Sequence, residues 1–168
     1  EQCYMLDGTI DGFSSWEDAI AAMSDQPISD QCEGAAMLYS SGTTGYPKGV
    51  KRPLPEQAYG EDEGVDLLKV LYGASADSIY LSPAPLYHAA PLAFTMNCIR
   101  TGVPVVVMGH FEAEFALECI ERYKITHSQW VPTMFVRMLK LPEVVRLKYD
   151  VSFAAVCYSC CSAMPHSD

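Results

Sequence analysis

Short apolar segments alternate with longer helical segments along the second half of this chain. Strands that alternate with helices, and that are apolar almost throughout, are typical of a parallel sheet with both faces covered. The sequence therefore predicts an α/β fold, in which a mostly parallel sheet has flanking helices. Three strands are predicted, over 78–81, 103–108 and 125–131, and the second of them is expected to be buried. Each strand is followed by a predicted helix, over 89–100, 111–123 and 133–140 respectively.

The first half of the chain is less regular. Residues 14–23 predict a helix that Ser14 or Ser15 can cap. Glu17 and Asp18 lie in its first turn, where carboxylates interact favourably with the helix dipole. The other predicted elements are a loop over 24–34, an apolar strand over 35–39, an exposed loop over 53–64 and a helix over 65–72.

The charge balance restricts the classes of partner. Hydrophobic residues make up 49% of the chain, enough to form a core, and the formal net charge is -10. A chain this acidic is repelled by nucleic acids and by anionic membranes, so we expect no nucleic-acid partner. A bound polyanion such as a nucleotide triphosphate would need a local loop geometry that overcomes this unfavourable field.

The cysteines and the apolar runs bear on location. The chain has seven cysteines, an odd number, at scattered positions and without a signal peptide, which argues against a secreted disulfide scaffold. No apolar run approaches the roughly 20 residues that a membrane-spanning helix requires. We therefore expect a cytoplasmic protein without a membrane span. Because residue 1 is Glu1, we also expect the true N-terminus to lie further upstream.

One segment, 40–49, combines hydroxyls, glycines and a lysine in the order Ser-Ser-Gly-Thr-Thr-Gly-Tyr-Pro-Lys-Gly. Glycines, Gly49 included, allow positive φ and a close approach of the backbone to a ligand, and successive N–H groups form a concave anion site. Hydroxyls and an ammonium group add hydrogen bonds to phosphate oxygens, worth roughly 1.5–3 kcal/mol each when charged. The residues predicted to bind phosphate are Ser40, Ser41, Gly42, Thr43, Thr44, Gly45 and Lys48.

The same segment also fits a plain flexible turn between two strands. It is not the P-loop of nucleotide triphosphatases, which requires Gly-x-x-x-x-Gly-Lys-Ser/Thr. Counted from Gly42, this chain has Pro47, Lys48 and Gly49 where that motif needs Gly, Lys and Ser/Thr.

The segment resembles the phosphate-binding signature of the adenylate-forming, or AMP-binding, superfamily, which includes acyl-CoA synthetases and aryl-CoA ligases. That signature is Ser/Thr-Ser/Thr-Gly-Thr-Thr-Gly-x-Pro-Lys-Gly, and residues 40–49 match it throughout. The resemblance implies that the loop holds the β- and γ-phosphates of ATP, with Lys48 as the catalytic residue, while a substrate carboxylate attacks the α-phosphate. It also implies ATP, Mg²⁺ and CoA as cofactors, and a place in the large N-terminal domain of such an enzyme.

Two further stretches are similar to segments of this family. Residues 83–91 are similar to the segment in which an aromatic residue and a histidine border the acyl pocket, here Tyr87 and His88, although Ala90 and the following proline depart from the usual glycine. Residues 126–135 are similar to a strand-to-helix corner that implies pocket lining by Trp130. Without the resemblance, His88 is an ordinary turn or core histidine. The apolar, aromatic character of these stretches indicates a fatty or aryl acid as substrate.

The resemblance extends over 33–151. We therefore expect an N-terminal helix and loop at 1–32, a partial AMP-binding domain with the phosphate loop at 33–151, and a divergent or truncated tail at 152–168. The family's ribose-binding aspartate, hinge and C-terminal mobile domain with a second lysine have no counterpart in this sequence. We therefore expect ligase chemistry of the parent protein and no turnover by the isolated chain.

Two other functions stay open at this point. The chain can be a non-catalytic nucleotide-binding fragment, in which the loop is kept without chemistry. It can also be a small metal-binding redox protein, although one short cluster with adjacent cysteines is a weak zinc pattern and we predict no metal site. The ligands of that site would be Cys157, Cys160, Cys161 and His166.

Overall fold

The structure, a computed structural model, describes residues 2–40, 46, 48–55, 67–154 and 156–159. The chain divides into two compact units, Glu1–Asp62 and Glu63–Asp168. In the part of the chain that is described, no helix has both the length and the hydropathy needed to cross a bilayer.

The first unit contains one short helix and two small two-stranded sheets. Helix α1 (Trp16–Ala21) is shorter than the predicted 14–23, and Ser15 caps it by accepting a hydrogen bond from the Asp18 N–H at 3.1 Å. The pairings of these strands were not predicted, because strands of two or three residues are too short to show an alternation of apolar and polar residues. The strands are β1 (Tyr4–Met5), parallel to β2 (Ser14–Ser15), and β3 (Leu38–Ser40), antiparallel to β4 (Lys48–Val50).

The second unit is built on a four-stranded parallel sheet with the strand order β6-β5-β7-β8. This confirms the predicted α/β class. The strands are β5 (Tyr80–Ser82), β6 (Val105–Val107), β7 (His127–Trp130) and β8 (Val156–Ser159). The helices are α2 (Leu67–Tyr72), α3 (Ala89–Arg100), α4 (Ala113–Tyr123), α5 (Pro132–Leu139) and α6 (Glu143–Arg146).

Both faces of the sheet are covered, as the apolar strands predicted. Successive side chains of a strand point to opposite faces. Leu81 accordingly belongs to one buried cluster with Ile120 of α4 and Met134 of α5. Tyr80 belongs to the other cluster, with Cys98 of α3. The sheet is therefore the middle layer of three.

Two features of this sheet differ from the prediction. The buried strand predicted over 103–108 is an edge strand, β6, in which Val107 is 49% exposed. An edge strand has a partner on one side only, and burial here is confined to the flanking Val103 and Met108. No strand was assigned to the divergent or truncated tail expected at 152–168, but β8 lies there and pairs with β7. That pairing joins residues such as His127 and Val156, which are too far apart in the chain for a local pattern to reveal it.

Candidate functional site

The phosphate-loop segment connects the two strands of the β3–β4 hairpin. Antiparallel pairing sets Ser40 opposite Lys48 and Tyr39 opposite Gly49. The first hydroxyl residue of the segment and its lysine are therefore held together at the base of the connection, and Lys48 is exposed to solvent. The remaining predicted phosphate ligands lie outside the described residues: Ser41, Gly42, Thr43, Thr44 and Gly45.

Gly49 has a different role from the predicted one. It does not adopt positive φ but lies within β4, so that part of the prediction is wrong. A Cβ atom added at Gly49 would lie 2.8 Å from Cε of Met37 and 3.0 Å from Cε1 of Tyr39. Both distances are below normal van der Waals contact, so a glycine at this position lets the two neighbouring side chains lie across the hairpin.

The second unit contains a cavity of about 210 Å³ at the carboxyl end of the parallel sheet. It lies where β7 ends and α3 begins, and ligands of open α/β sheets bind outside the carboxyl ends of the strands. The wall is almost entirely apolar. The residues that line it are Ala84, His88, Ala90, Pro91, Gln129, Trp130 and Val131.

Trp130 is both a core residue and part of this wall. Its side chain is 1% exposed and packs against the rings of Phe111 and Phe135, at centroid distances of 6.2 Å and 5.8 Å. Its indole N–H donates to the Ser128 hydroxyl. The tryptophan is thus fixed by contacts behind the cavity, and its polar atom is already engaged.

His88 occupies the N-cap position of α3, where its backbone is extended and its side chain makes no capping hydrogen bond. The imidazole lines the cavity while the residue as a whole is exposed, which places it at the opening. Tyr87 is 83% exposed and packs its ring 4.5 Å from that of His88, but it does not line the cavity. Of the three predicted substrate residues, the structure therefore brings together His88 and Trp130.

Two buried polar residues of β7 were not singled out from the sequence. Gln129 is 3% exposed and lines the cavity. His127 is buried and bridges two segments, with Nε2 3.0 Å from the carbonyl oxygen of Tyr72 and Nδ1 2.8 Å from the Thr126 hydroxyl. Because a carbonyl oxygen only accepts, Nε2 of His127 carries a hydrogen. The only sequence signal for either residue is a polar side chain inside a predicted buried strand.

The proposed zinc ligands are only partly described. Cys157 is a free, exposed thiol on β8, whereas Cys160, Cys161 and His166 lie outside the described residues. Among the described residues there is no cluster of three or more His, Cys, Asp or Glu side chains that could hold a metal ion.

The fold and the loop segment together define a class of protein. The family model of the AMP-binding enzyme matches residues 5–167, nearly the whole chain and beyond the 33–151 of the sequence resemblance. The chain belongs to the AMP-binding enzyme family.

Curated relatives and solved structures agree with this assignment. Over 132 residues the chain is 34% identical to 4-coumarate-CoA ligase 1 of Narcissus pseudonarcissus and 31% identical to 4-coumarate--CoA ligase 4 of Arabidopsis thaliana. Each match covers 74% of this chain and 22% of the ligase, so the chain spans about a fifth of the length of these relatives.

Among solved structures, the N-terminal domain of FACL13 from Mycobacterium tuberculosis shares the fold, with a TM-score of 0.69 at 21% identity, over 88% of this chain and 36% of that domain. The o-succinylbenzoate CoA synthetase of Bacillus subtilis, solved with its acyl-adenylate intermediate, is 26% identical with a TM-score of 0.56, over 77% of this chain and 35% of the synthetase.

Proposed function

We propose that this chain supplies the phosphate loop and part of the acid pocket of an ATP-dependent acid–thiol ligase. The observation that carries this proposal is the β3–β4 hairpin, which sets Ser40, the first residue of the phosphate-binding signature, opposite Lys48, its lysine. The relatives support the same chemistry, since they are 4-coumarate-CoA ligases and a synthetase solved with an acyl-adenylate.

The hairpin would act by electrostatic stabilisation of the triphosphate. The β- and γ-phosphates would be held by the Lys48 ammonium, the loop hydroxyls and the loop amides. Donors fixed in place in this way stabilise the transition state, because negative charge develops on the leaving pyrophosphate. Oxygen-bound Mg²⁺ usually reaches a nucleotide site on the phosphates, with few protein ligands. An ion bound in this way would neutralise phosphate charge.

The reaction would proceed in two displacements. A carboxylate oxygen of the acid attacks the α-phosphorus, and the bond from that phosphorus to the bridging oxygen of pyrophosphate breaks. The sulfur of CoA then attacks the carbonyl carbon of the acyl-adenylate, and the thiol proton is lost to solvent. The bond from that carbon to the phosphate oxygen breaks, which leaves the thioester and AMP. In this scheme the residues of the loop bind the leaving pyrophosphate, and the pocket holds the acid.

The cavity favours a compact aryl acid over a long fatty chain. Its volume is about 210 Å³, and apolar protein cavities of about 150 Å³ accept a benzene molecule. One aromatic ring with a short side chain therefore fills the available space. The apolar wall would contact the ring, and the carboxylate would face the opening beside His88.

Binding of Mg·ATP to the purified chain, measured by calorimetry, tests the proposal. We expect Lys48→Ala to weaken binding by about 10- to 150-fold, because one charge-assisted hydrogen bond contributes roughly 1.5–3 kcal/mol. Lys51→Ala is the matched control, since Lys51 is an exposed lysine just beyond β4 and outside the signature. Absence of ATP binding by the unchanged chain, or equal losses in both variants, would overturn the proposal.

Exchange of labelled pyrophosphate into ATP separates catalysis from binding alone. Acid-dependent exchange would mean that the 168-residue chain itself forms the adenylate. ATP binding without exchange would leave the chain as a nucleotide-binding part that does not turn over, which is the alternative function considered from the sequence.

A further inference from the structure

Two hydroxyl groups are buried between β5 and α3. Ser82, the last residue of β5, is 0% exposed, and Thr95 of α3 is 4% exposed. Among the described residues, neither Oγ of Ser82 nor Oγ1 of Thr95 has a hydrogen-bond partner. Buried polar groups in proteins are nearly always paired, with protein atoms or with ordered water, because an unpaired one destabilises the fold. Both hydroxyls therefore require a partner.

Both side chains point into the space between the sheet and α3. Side chains alternate along a strand, so Ser82 shares the face of Tyr80, which packs in one buried cluster with Cys98 of α3. On the helix, Thr95 is buried together with Cys98, and residues three apart in a helix lie on one face. The two hydroxyls therefore face the same interface from opposite sides.

The two hydroxyls also lie at the same level along the sheet. Because α3 connects the parallel strands β5 and β6, it runs back from the carboxyl end of the sheet. At that end, Ala84 and Pro91 line the same cavity. Ser82 precedes Ala84 by two residues on the strand side. Thr95 follows Pro91 by about one turn on the helix side. The pair therefore lies between the cavity and the cluster of Tyr80, directly beneath the cavity.

We propose that Ser82 and Thr95 bind one buried water molecule, which bridges β5 and α3. The two hydroxyls are not bonded to each other, and a water commonly joins polar groups that are too far apart for direct contact. A buried water typically makes about three hydrogen bonds. The third partner is the amide of Gln129, the residue of β7 that the parallel register sets beside Ser82. An amide oxygen has two lone pairs, so it can accept from the water and keep another partner.

Urea unfolding of single and double variants of the whole chain tests this site, and it requires neither ATP nor an acid. Ser82→Ala and Thr95→Val remove one hydroxyl each. We expect each single change to lower the folding equilibrium constant about 2- to 10-fold, because the water loses a partner. The double variant should lose less than the product of the two single losses, since the second substitution removes a hydroxyl that the first has already left poorly paired.

Thr101→Val is the matched control for Thr95→Val. The Thr101 hydroxyl donates to the carbonyl oxygen of Asn97 at 2.9 Å, and the residue caps the opposite end of α3. Sites that are distant and share no partner act independently. The losses of Thr101→Val and Ser82→Ala should therefore multiply in their double variant.

Three outcomes of the urea experiment would overturn the inference. If both hydroxyls are unpaired, their removal stabilises the fold and the urea midpoint rises in each single variant. If only one substitution lowers the midpoint, as when Thr95 donates to a carbonyl oxygen of its own helix, no water is shared. Single losses that multiply in the Ser82–Thr95 double variant would mean separate partners. Should a variant not fold, a crystal structure of the unchanged chain decides: we expect density for a water within hydrogen-bond distance of both hydroxyl oxygens, and its absence overturns the site.

Discussion

Replacing Trp130 with alanine is expected to remove a large share of the folding free energy of the unit Glu63–Asp168. The indole is 1% exposed and is held between the rings of Phe111 and Phe135. Truncation of a buried tryptophan to alanine typically costs about 3–5 kcal/mol. Loss of two aromatic pairs, each worth roughly 0.5–1.5 kcal/mol beyond the buried area, favours the upper end of that range.

This loss is large because a domain is stable by only about 5–15 kcal/mol. The measurement is urea unfolding followed by far-UV circular dichroism, since the tryptophan signal is lost with the substitution. Leu139→Ala is the control in the same unit, because Leu139 lies near the end of α5 and is 65% exposed. We expect that control to change the free energy of unfolding by less than about 1 kcal/mol.

The reasoning is refuted if Trp130→Ala and Leu139→Ala shift the urea midpoint equally at the same slope. Equal shifts would mean that the ring cluster behind the cavity does not hold the sheet and helices α4 and α5 together. A large loss confined to Trp130 would support its double role as a core residue and as a wall of the cavity.

Two further predictions concern ionisable groups. The Asp7 N–H donates to the Glu17 carboxylate at 3.0 Å and lowers its pKa below the ordinary 4.5. The folded pKa lies below the unfolded one, so this group stabilises the fold above pH 4.5 and loses that effect as the pH falls through the folded value. The Asp7 amide resonance should therefore titrate below pH 4.5 by NMR, and titration at or above that pH would contradict the hydrogen bond. Burial, with a smaller effect of the Glu118 carboxylate, raises the pKa of Cys119 above 9.0. Iodoacetamide should therefore label the exposed Cys32 of the native protein much faster than Cys119, which peptide mapping would show. Equal labelling rates would contradict the burial of Cys119.

Local patterns were sufficient for much of the fold. Helix α3 begins and ends where its composition predicts, over Ala89–Arg100, and α4 and α5 begin and end within two residues of the prediction. The parallel arrangement also followed from the order of elements, since strands joined through helices pair in parallel. The order of residues in 40–49 was enough to indicate the family, because a phosphate loop is a contiguous segment.

The sequence by itself thus determined the α/β class, the family signature and most helices, all of which depend on residues close together in the chain. Only the tertiary structure decided that β8 completes the sheet, that β6 is an edge and that Gly49 accommodates the side chains of Met37 and Tyr39. It also decided that Gln129 lines the cavity while Tyr87 does not. These outcomes depend on which face of a strand meets which distant neighbour, and contacts between residues far apart in sequence leave no local pattern to detect.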